Sequence, residues 1–108
     1  MSKYHAKKVE FGGMVFDSQK EFTRWRELCL LEKAGVITDL KRQVPFELIP
    51  AQRRNGKTVE RAVKYVADFV YMMNGEEIVE DTKGVKTKEY IIKRKLMLWE
   101  FGIQVQEV

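Results

Sequence analysis

Hydrophobic and polar positions along this chain follow two periods, and the switches between them mark its elements. Val63-Lys64-Tyr65-Val66-Ala67-Asp68-Phe69-Val70-Tyr71 is rich in β-branched and aromatic residues, and Glu77–Lys83 continues in the same vein. Both read as strands. Asn74-Gly75 stands between them, and a tight turn with φ > 0 at both central residues favours that dipeptide. The prediction is a hairpin in which Met73 faces Glu76, Val70 faces Val79 and Asp68 faces Asp81.

At Ser18 the period becomes helical. Ser18 with Glu21 three residues later is a capping-box pattern. Glu21, Trp25, Leu28 and Glu32 recur along one helical row, flanked by Phe22 and Cys29. The helix should run to about Ala34, with Gly35 just past its end, and Phe16 is placed to pack on Phe22. Glu21 therefore has two readings. It is a cap reaching back to the Ser18 backbone N–H, or a site residue on the face turned toward a sheet.

A second helix is predicted over Lys88–Phe101 and stopped by Gly102. Ile91, Ile92, Leu96, Leu98 and Trp99 form its core stripe, with Tyr90, Met97 and Phe101 as another apolar side. Val9–Phe16 around Gly12-Gly13 predicts a small hairpin. Val36–Gln43 and Phe46–Ile49 read as an extended segment interrupted at Pro45, which implies an edge, bend or bulge. Gln52–Glu60 is polar and basic with a turn at Asn55-Gly56, and Ile103–Val108 reads as a last strand. The order of hairpin, helix, three strands, helix and strand predicts an α/β sandwich around one sheet.

Composition narrows the class. A chain of 108 residues suits a single domain, and residues 1–8 read as a loose basic arm. No apolar run reaches the length of a membrane span and no signal-peptide pattern opens the chain, so a cytoplasmic protein is expected. Cys29 is the only cysteine, which excludes an intramolecular disulfide framework, and no Cys/His cluster points to zinc. His5, the single histidine, lies in the basic arm and has no assigned chemistry. The net charge is +4, compatible with nucleic acid but not decisive. Its distribution says more. Lys3–Lys8, Arg53-Arg54-Asn55-Gly56-Lys57 with Arg61 and Lys64, and Lys83–Lys95 are basic bunches. Each alone reads as a solvated surface; three around an acidic cluster favour a polyanion.

The acidic cluster is Asp68 and Asp81. Opposed Cβ atoms in a hairpin lie roughly 4.5–5.5 Å apart, where like charges repel. Lys83, two residues beyond Asp81, shares its face, while Glu80 points to the other. Two carboxylates suit Mg²⁺, which takes one or two with water and substrate phosphate. A lysine beside them can orient or deprotonate water, or stabilise charge developing on phosphorus. The structural alternative is a network in which Lys83 neutralises both aspartates. If the aspartates repel, Asp68→Asn should leave metal-free stability unchanged or raise it. Lys86 and Lys88 follow the site and are placed to hold DNA phosphates. Lys95 either reaches a phosphate or snorkels to the surface.

Glu21, then Asp68, then Asp81-Thr82-Lys83 resembles the signature of the PD-(D/E)XK nuclease superfamily, with Ala67 where a proline usually precedes the first aspartate. More closely, Phe16-Asp17-Ser18 with Glu21, Tyr65-Val66-Ala67-Asp68-Phe69, and Val79-Glu80-Asp81-Thr82-Lys83-Gly84 with Lys86-Thr87-Lys88 resemble a family of small phage and prophage proteins long labelled a domain of unknown function. The resemblance implies a restriction-endonuclease-like αβββαβ core over Ser18–Val108, with a mixed central sheet flanked by two helices. It also implies a Mg²⁺-dependent DNA endonuclease, with Mn²⁺ as substitute, acting in phage recombination or DNA processing. Branched DNA such as a Holliday junction is one substrate it suggests. Asp68 and Asp81 become metal ligands, Thr82 a third through its backbone carbonyl, and Lys83 the catalytic lysine. Glu21 assists through water or a second ion. Arg53, Arg54, Lys57, Lys86, Lys88 and Lys95 become DNA contacts, and a homodimer suits an enzyme that cuts two strands. The rival is a non-catalytic DNA-binding or assembly module with a structural acid–lysine network.

Overall fold

The computed structural model describes residues 7–108, so most of the expected basic arm lies outside the described residues. Strands β1 (Val9–Phe11) and β2 (Met14–Phe16) form the expected small hairpin. Ser18 then caps helix α1 (Gln19–Lys33), its hydroxyl accepting from the Glu21 N–H at 3.1 Å. Phe16 meets Phe22 edge-on, with ring centroids 5.3 Å apart. This fixes the hairpin against the first turn of the helix.

Strand β3 (Thr38–Ile49) runs through Pro45 without interruption. The missing N–H is tolerated because β3 is an edge strand of the central sheet, and the register shifts at two other places along it. The stretch expected to be a polar turn is instead a ribbon of β4 (Gln52–Arg54) and β5 (Lys57–Glu60), paired only with each other and exposed along their whole length. Strands β6 (Val63–Met73) and β7 (Glu76–Asp81) form the central hairpin, and Asn74 and Gly75 have φ of 53° and 79°. That is the turn their sequence predicts. Helix α2 (Lys88–Phe101) follows, capped by Thr87 and closed by Gly102 in the left-handed conformation. The last strand is shorter than expected: only β8 (Gln106–Glu107) pairs, parallel to β7. The central sheet is mixed, in the order β3-β6-β7-β8.

Each helix covers a separate core. Leu28, Trp25 and Leu31 of α1 pack on Phe69, Tyr71 and Ile78. Tyr90 and Met97 of α2 pack on Tyr65, Ala67, Val70 and Val79. The buried side of α2 is thus the Tyr90–Met97 row, with Phe101 against Phe46. Of the expected core stripe, Ile92, Leu98 and Trp99 face outward, Trp99 being 83% exposed. Both sides of this helix are apolar, so periodicity alone could not choose between them.

The two cores reveal a crossover. Strict alternation would put Tyr65, Ala67, Phe69 and Tyr71 on one face of β6. The first two nevertheless lie under α2 and the last two under α1. The neighbouring strand changes sides with it, since Val44 and Phe46 join the α2 core and Leu40 the α1 core. Between the paired residues Arg42–Phe69 and Val44–Ala67 stand Gln43 and Asp68. Gln43 has φ of 54°, a conformation uncommon outside glycine and asparagine.

Candidate functional site

At that crossover the acidic residues gather. The β6–β7 register is the predicted one, Met73 with Glu76 and Val70 with Val79, but the ladder ends at Phe69–Glu80, one pair short of Asp68 and Asp81. Asp68 instead turns its Oδ2 to the residue after the strand. It accepts from the Thr82 N–H at 2.8 Å and the Thr82 hydroxyl at 2.7 Å. Its Oδ1 accepts from Gln43 Nε2 at 3.2 Å.

Asp81 has no solvent exposure. Tyr65 donates to its Oδ2 at 2.5 Å, and Lys83 Nζ lies 3.5 Å from Oδ1. Oδ1 is buried and has no hydrogen-bond partner. Burial, followed by the facing Asp68 carboxylate, pushes the Asp81 carboxyl up to about 7 against the opposing pull of Tyr65 and Lys83. At Asp68 burial acts in the same direction, but its coupling to Asp81, the two hydrogen bonds from Thr82 and the Lys83 charge outweigh it, leaving this carboxyl below its ordinary value. The aspartates therefore titrate as a coupled pair, Asp81 pushed up and Asp68 down. Lys83 also lies over the Tyr90 ring, 5.2 Å from its centre.

Glu21 reaches the same place from α1 and is 2% exposed. Its Oε1 accepts from the Asp17 N–H at 3.1 Å, one residue before the Ser18 N–H that a capping box would use. Its Oε2 accepts from Gln43 Nε2 at 3.1 Å and lies 3.5 Å from Arg42. The cap expected at the Ser18 N–H is thus made at the Asp17 N–H instead, and the other oxygen of Glu21 faces Gln43 and Arg42. Burial and the nearby Asp68 charge raise its pKa.

Glu80 points to the opposite face, as alternation predicts. Arg24 grips it through two nitrogens at 2.8 and 2.7 Å, and Tyr71 donates to it as well. That pair belongs to the α1 core and not to the aspartate cluster.

The basic candidates are dispersed. Lys86 pairs with Glu107 at 3.0 Å, Lys88 is exposed at the start of α2, and Lys95 is exposed farther along that helix. Arg53 is committed within the ribbon, donating to Thr58 Oγ1 and the Gly56 carbonyl. Arg54 and Lys57 beside it are exposed, with no ion pair among the described residues. Sequence reasoning missed Arg42 and Gln43, and it read Tyr65 as a strand residue without a polar role. Neither periodicity nor spacing marks Gln43. Only its place opposite Asp68, visible once β3 and β6 are paired, could have singled it out.

Among the described residues no three acidic, histidine or cysteine side chains gather closely enough to cage an ion by themselves. Mg²⁺ does not require such a cage, since it keeps several waters and uses one or two carboxylates. The Asp68–Asp81 pair offers the right hard oxygen donors. The partnerless Oδ1 of Asp81 is a buried acceptor that a proton or a cation would satisfy. The residues present fit the ion.

Comparison with known proteins gives one positive result. A family model described as a protein of unknown function (DUF1064) matches residues 1–106, and the chain belongs to that family. Neither the curated proteins nor the solved structures contain a match.

Proposed function

We propose that this member of the DUF1064 family is a Mg²⁺-dependent DNA endonuclease with a restriction-endonuclease-like core, related to the PD-(D/E)XK nucleases. The supporting observation is the buried, partnerless Oδ1 of Asp81 beside a second carboxylate and a lysine. A purely structural network of native quality leaves few such atoms unsatisfied.

In this reading Asp68 and Asp81 hold the ion, and Glu21 acts on it through water. A Mg²⁺ ion held there would supply Lewis-acid chemistry, lowering the pKa of a water and offsetting charge on the phosphate. Lys83, close to Asp81 and one-third exposed, orients the attacking water and steadies the growing negative charge on the phosphate. Thr82 fixes Asp68 through its N–H and hydroxyl, and in this reading its carbonyl supplies a further oxygen ligand. Tyr65 holds Asp81 from the side away from Lys83.

The ribbon β4–β5 supports a DNA partner. A two-stranded ribbon fits the major groove, and Arg54 and Lys57 supply phosphate contacts while Arg53 braces the turn. Lys86, Lys88 and Lys95 add positive charge along α2 and the loop before it. The proposal includes branched DNA as substrate, a phage or prophage setting, a cytoplasmic location in the host and a symmetric homodimer. Of the location, the described residues say only that no helix is long and apolar enough to cross a membrane.

The second reading, a non-catalytic DNA-binding or assembly module, draws on the protein partners that Asp68 already has in Gln43 and Thr82. One experiment separates the two. Purified protein is incubated with labelled four-way junction, duplex or single-stranded DNA, with Mg²⁺, Mn²⁺ or EDTA. Metal-dependent cleavage that is lost in folded Asp81→Ala supports the enzyme. Binding without cleavage of any substrate supports the module. Sedimentation velocity on the same sample tests the homodimer.

A further inference from the structure

We infer that Gln43 is a positioning residue, and that its side-chain amide sets Glu21 against Asp68 and so fixes the third carboxylate at the cation site. The inference rests on the nuclease reading and names a residue that the nuclease signature lacks.

Three observations carry it. The first is connectivity. A single nitrogen, Gln43 Nε2, donates to Glu21 Oε2 at 3.1 Å and to Asp68 Oδ1 at 3.2 Å. Glu21 and Asp68 come from α1 and β6, and the amide spans the gap between them. Its orientation follows from chemistry, because a carbonyl oxygen turned toward two carboxylates would be repelled. The nitrogen has two hydrogens, and this arrangement uses both.

The second is backbone geometry. Gln43 lies at φ of 54°, which a side chain of this shape rarely adopts. Such conformations persist where the surroundings over-determine them, and they cluster at functional sites. Here the left-handed residue sits where β3 and β6 exchange faces. The same residue thus marks the crossover and ties together the carboxylates that the crossover brings near each other.

The third is the electrostatic need. Glu21 is nearly fully buried, and Gln43 Nε2 stands between its carboxylate and that of Asp68. Arg42 is 3.5 Å away and is itself engaged with the Val15 carbonyl at 2.8 Å. Among the described residues Gln43 alone contacts both carboxylates. It is neutral, so it orders them without cancelling the charge that attracts a cation. An arginine or lysine in its place would occupy the site as an ion pair.

Loss of a group that orients metal ligands from outside typically costs 10–100-fold in metal affinity or activity. The test is a double-mutant cycle with two readouts, Mn²⁺ affinity by calorimetry and cleavage rate on the best DNA substrate. Gln43→Gly keeps the left-handed backbone and removes the amide. Gln43→Asn also tolerates that backbone but is one methylene too short to span both partners, and it serves if the glycine variant folds poorly. Thermal denaturation confirms folding of each. The expected result is a loss of tenfold or more in both readouts for Gln43→Gly, a loss of similar size for Glu21→Gln, and no further loss in the double variant. Additive losses, or a Gln43→Gly protein equal to wild type, would overturn the inference while leaving the nuclease reading intact. A wild-type protein that neither binds Mn²⁺ nor cleaves DNA removes the nuclease reading, and this inference with it.

Discussion

Tyr65 donates its hydroxyl to Asp81 Oδ2 at 2.5 Å, and this is the hydrogen bond made by a carboxylate that has no solvent exposure. Tyr65→Phe keeps the ring against Phe46 and Tyr90 but removes that donor. Leaving a buried polar group unsatisfied costs about 1–3 kcal/mol. Urea unfolding of the metal-free protein at pH 8 should show a loss of this size. The loss should shrink at pH 5, where Asp81 holds a proton. A variant as stable as wild type at pH 8 would count against an ionised Asp81 in that state.

The position of Asp81 also sets how stability responds to pH. Its folded-state pKa is pushed up from 3.8 to about 7, so its contribution to stability is fully present below the unfolded value and lost as pH rises through about 7. Asp68 has the opposite sign, its lowered value giving stability that disappears below its ordinary range. Between pH 4 and 8, about the window those shifts define, the Asp81 effect dominates. Metal-free protein should therefore be less stable at pH 8 than at pH 5, by up to about 2.5 kcal/mol, because only the roughly two pH units between 5 and the folded value count, at about 1.4 kcal/mol each. Under the nuclease proposal Mg²⁺ binds the deprotonated pair, so its stabilising effect should be larger at pH 8. Thermal melts at both pH values, with and without Mg²⁺, check the two statements together.

The same geometry distinguishes the two aspartates as mutational targets. The sequence alone suggested that Asp68→Asn relieves repulsion, but all of its hydrogen-bond partners, Thr82 N–H, Thr82 hydroxyl and Gln43 amide, are placed to donate. An asparagine NH₂ must face one of those donors. Asp68→Asn should thus destabilise the metal-free protein by about 1–3 kcal/mol. Asp81→Asn should hold or raise stability at pH 8, since its amide can donate to Asp68 while its oxygen still accepts from Tyr65. Under the nuclease proposal both should also lose metal-dependent cleavage. Paired denaturation curves at pH 8 decide the order.

Much of this site was legible before any coordinates. The Asn74-Gly75 turn set the β6–β7 register through Val70–Val79, the Ser18 cap placed Glu21, and the spacing of Asp81 and Lys83 put the lysine beside the acid. What could not be read was the face exchange at Gln43 and Asp68. A period of two assumes a regular strand, and a left-handed glutamine carries no compositional mark of the kind glycine does. The crossover matters because it lets Glu21, from the α1 side, and Asp81, among the residues under α2, meet around Asp68. The ribbon was missed for a different reason. Lys57-Thr58-Val59-Glu60 is exposed on both faces, so no apolar alternation records it.

That ribbon yields a prediction about binding rather than chemistry. Arg54 and Lys57 are exposed and unpaired among the described residues, whereas Arg53 is occupied by Gly56 and Thr58. If both free cations neutralise DNA phosphates, removing them together lowers the slope of log K against log salt by about 1.8 on duplex DNA. The measurement is fluorescence anisotropy in EDTA, where cleavage is silent, across a salt series. An unchanged slope in Arg54→Ala/Lys57→Ala would place the DNA elsewhere on the surface.

Away from the cluster, Arg24 and Glu80 test how the α1 core is held to the sheet. Glu80 is 2% exposed and accepts from Arg24 through both its oxygens and from Tyr71 as well. The guanidinium matches the carboxylate in a bidentate grip, the strongest geometry open to this pair. Burying such a pair gains little over well-packed apolar groups, but breaking one side leaves a charge without compensation, at a cost of about 3–5 kcal/mol. Arg24→Ala should therefore destabilise strongly at pH 7. Arg24→Met with Glu80→Leu should recover much of the loss, since the deficit arises from the stranded carboxylate and not from missing attraction. Urea denaturation of the single and double variants gives the answer. A double variant as unstable as Arg24→Ala would show that the ion pair itself, through its directional hydrogen bonds, holds α1 in place.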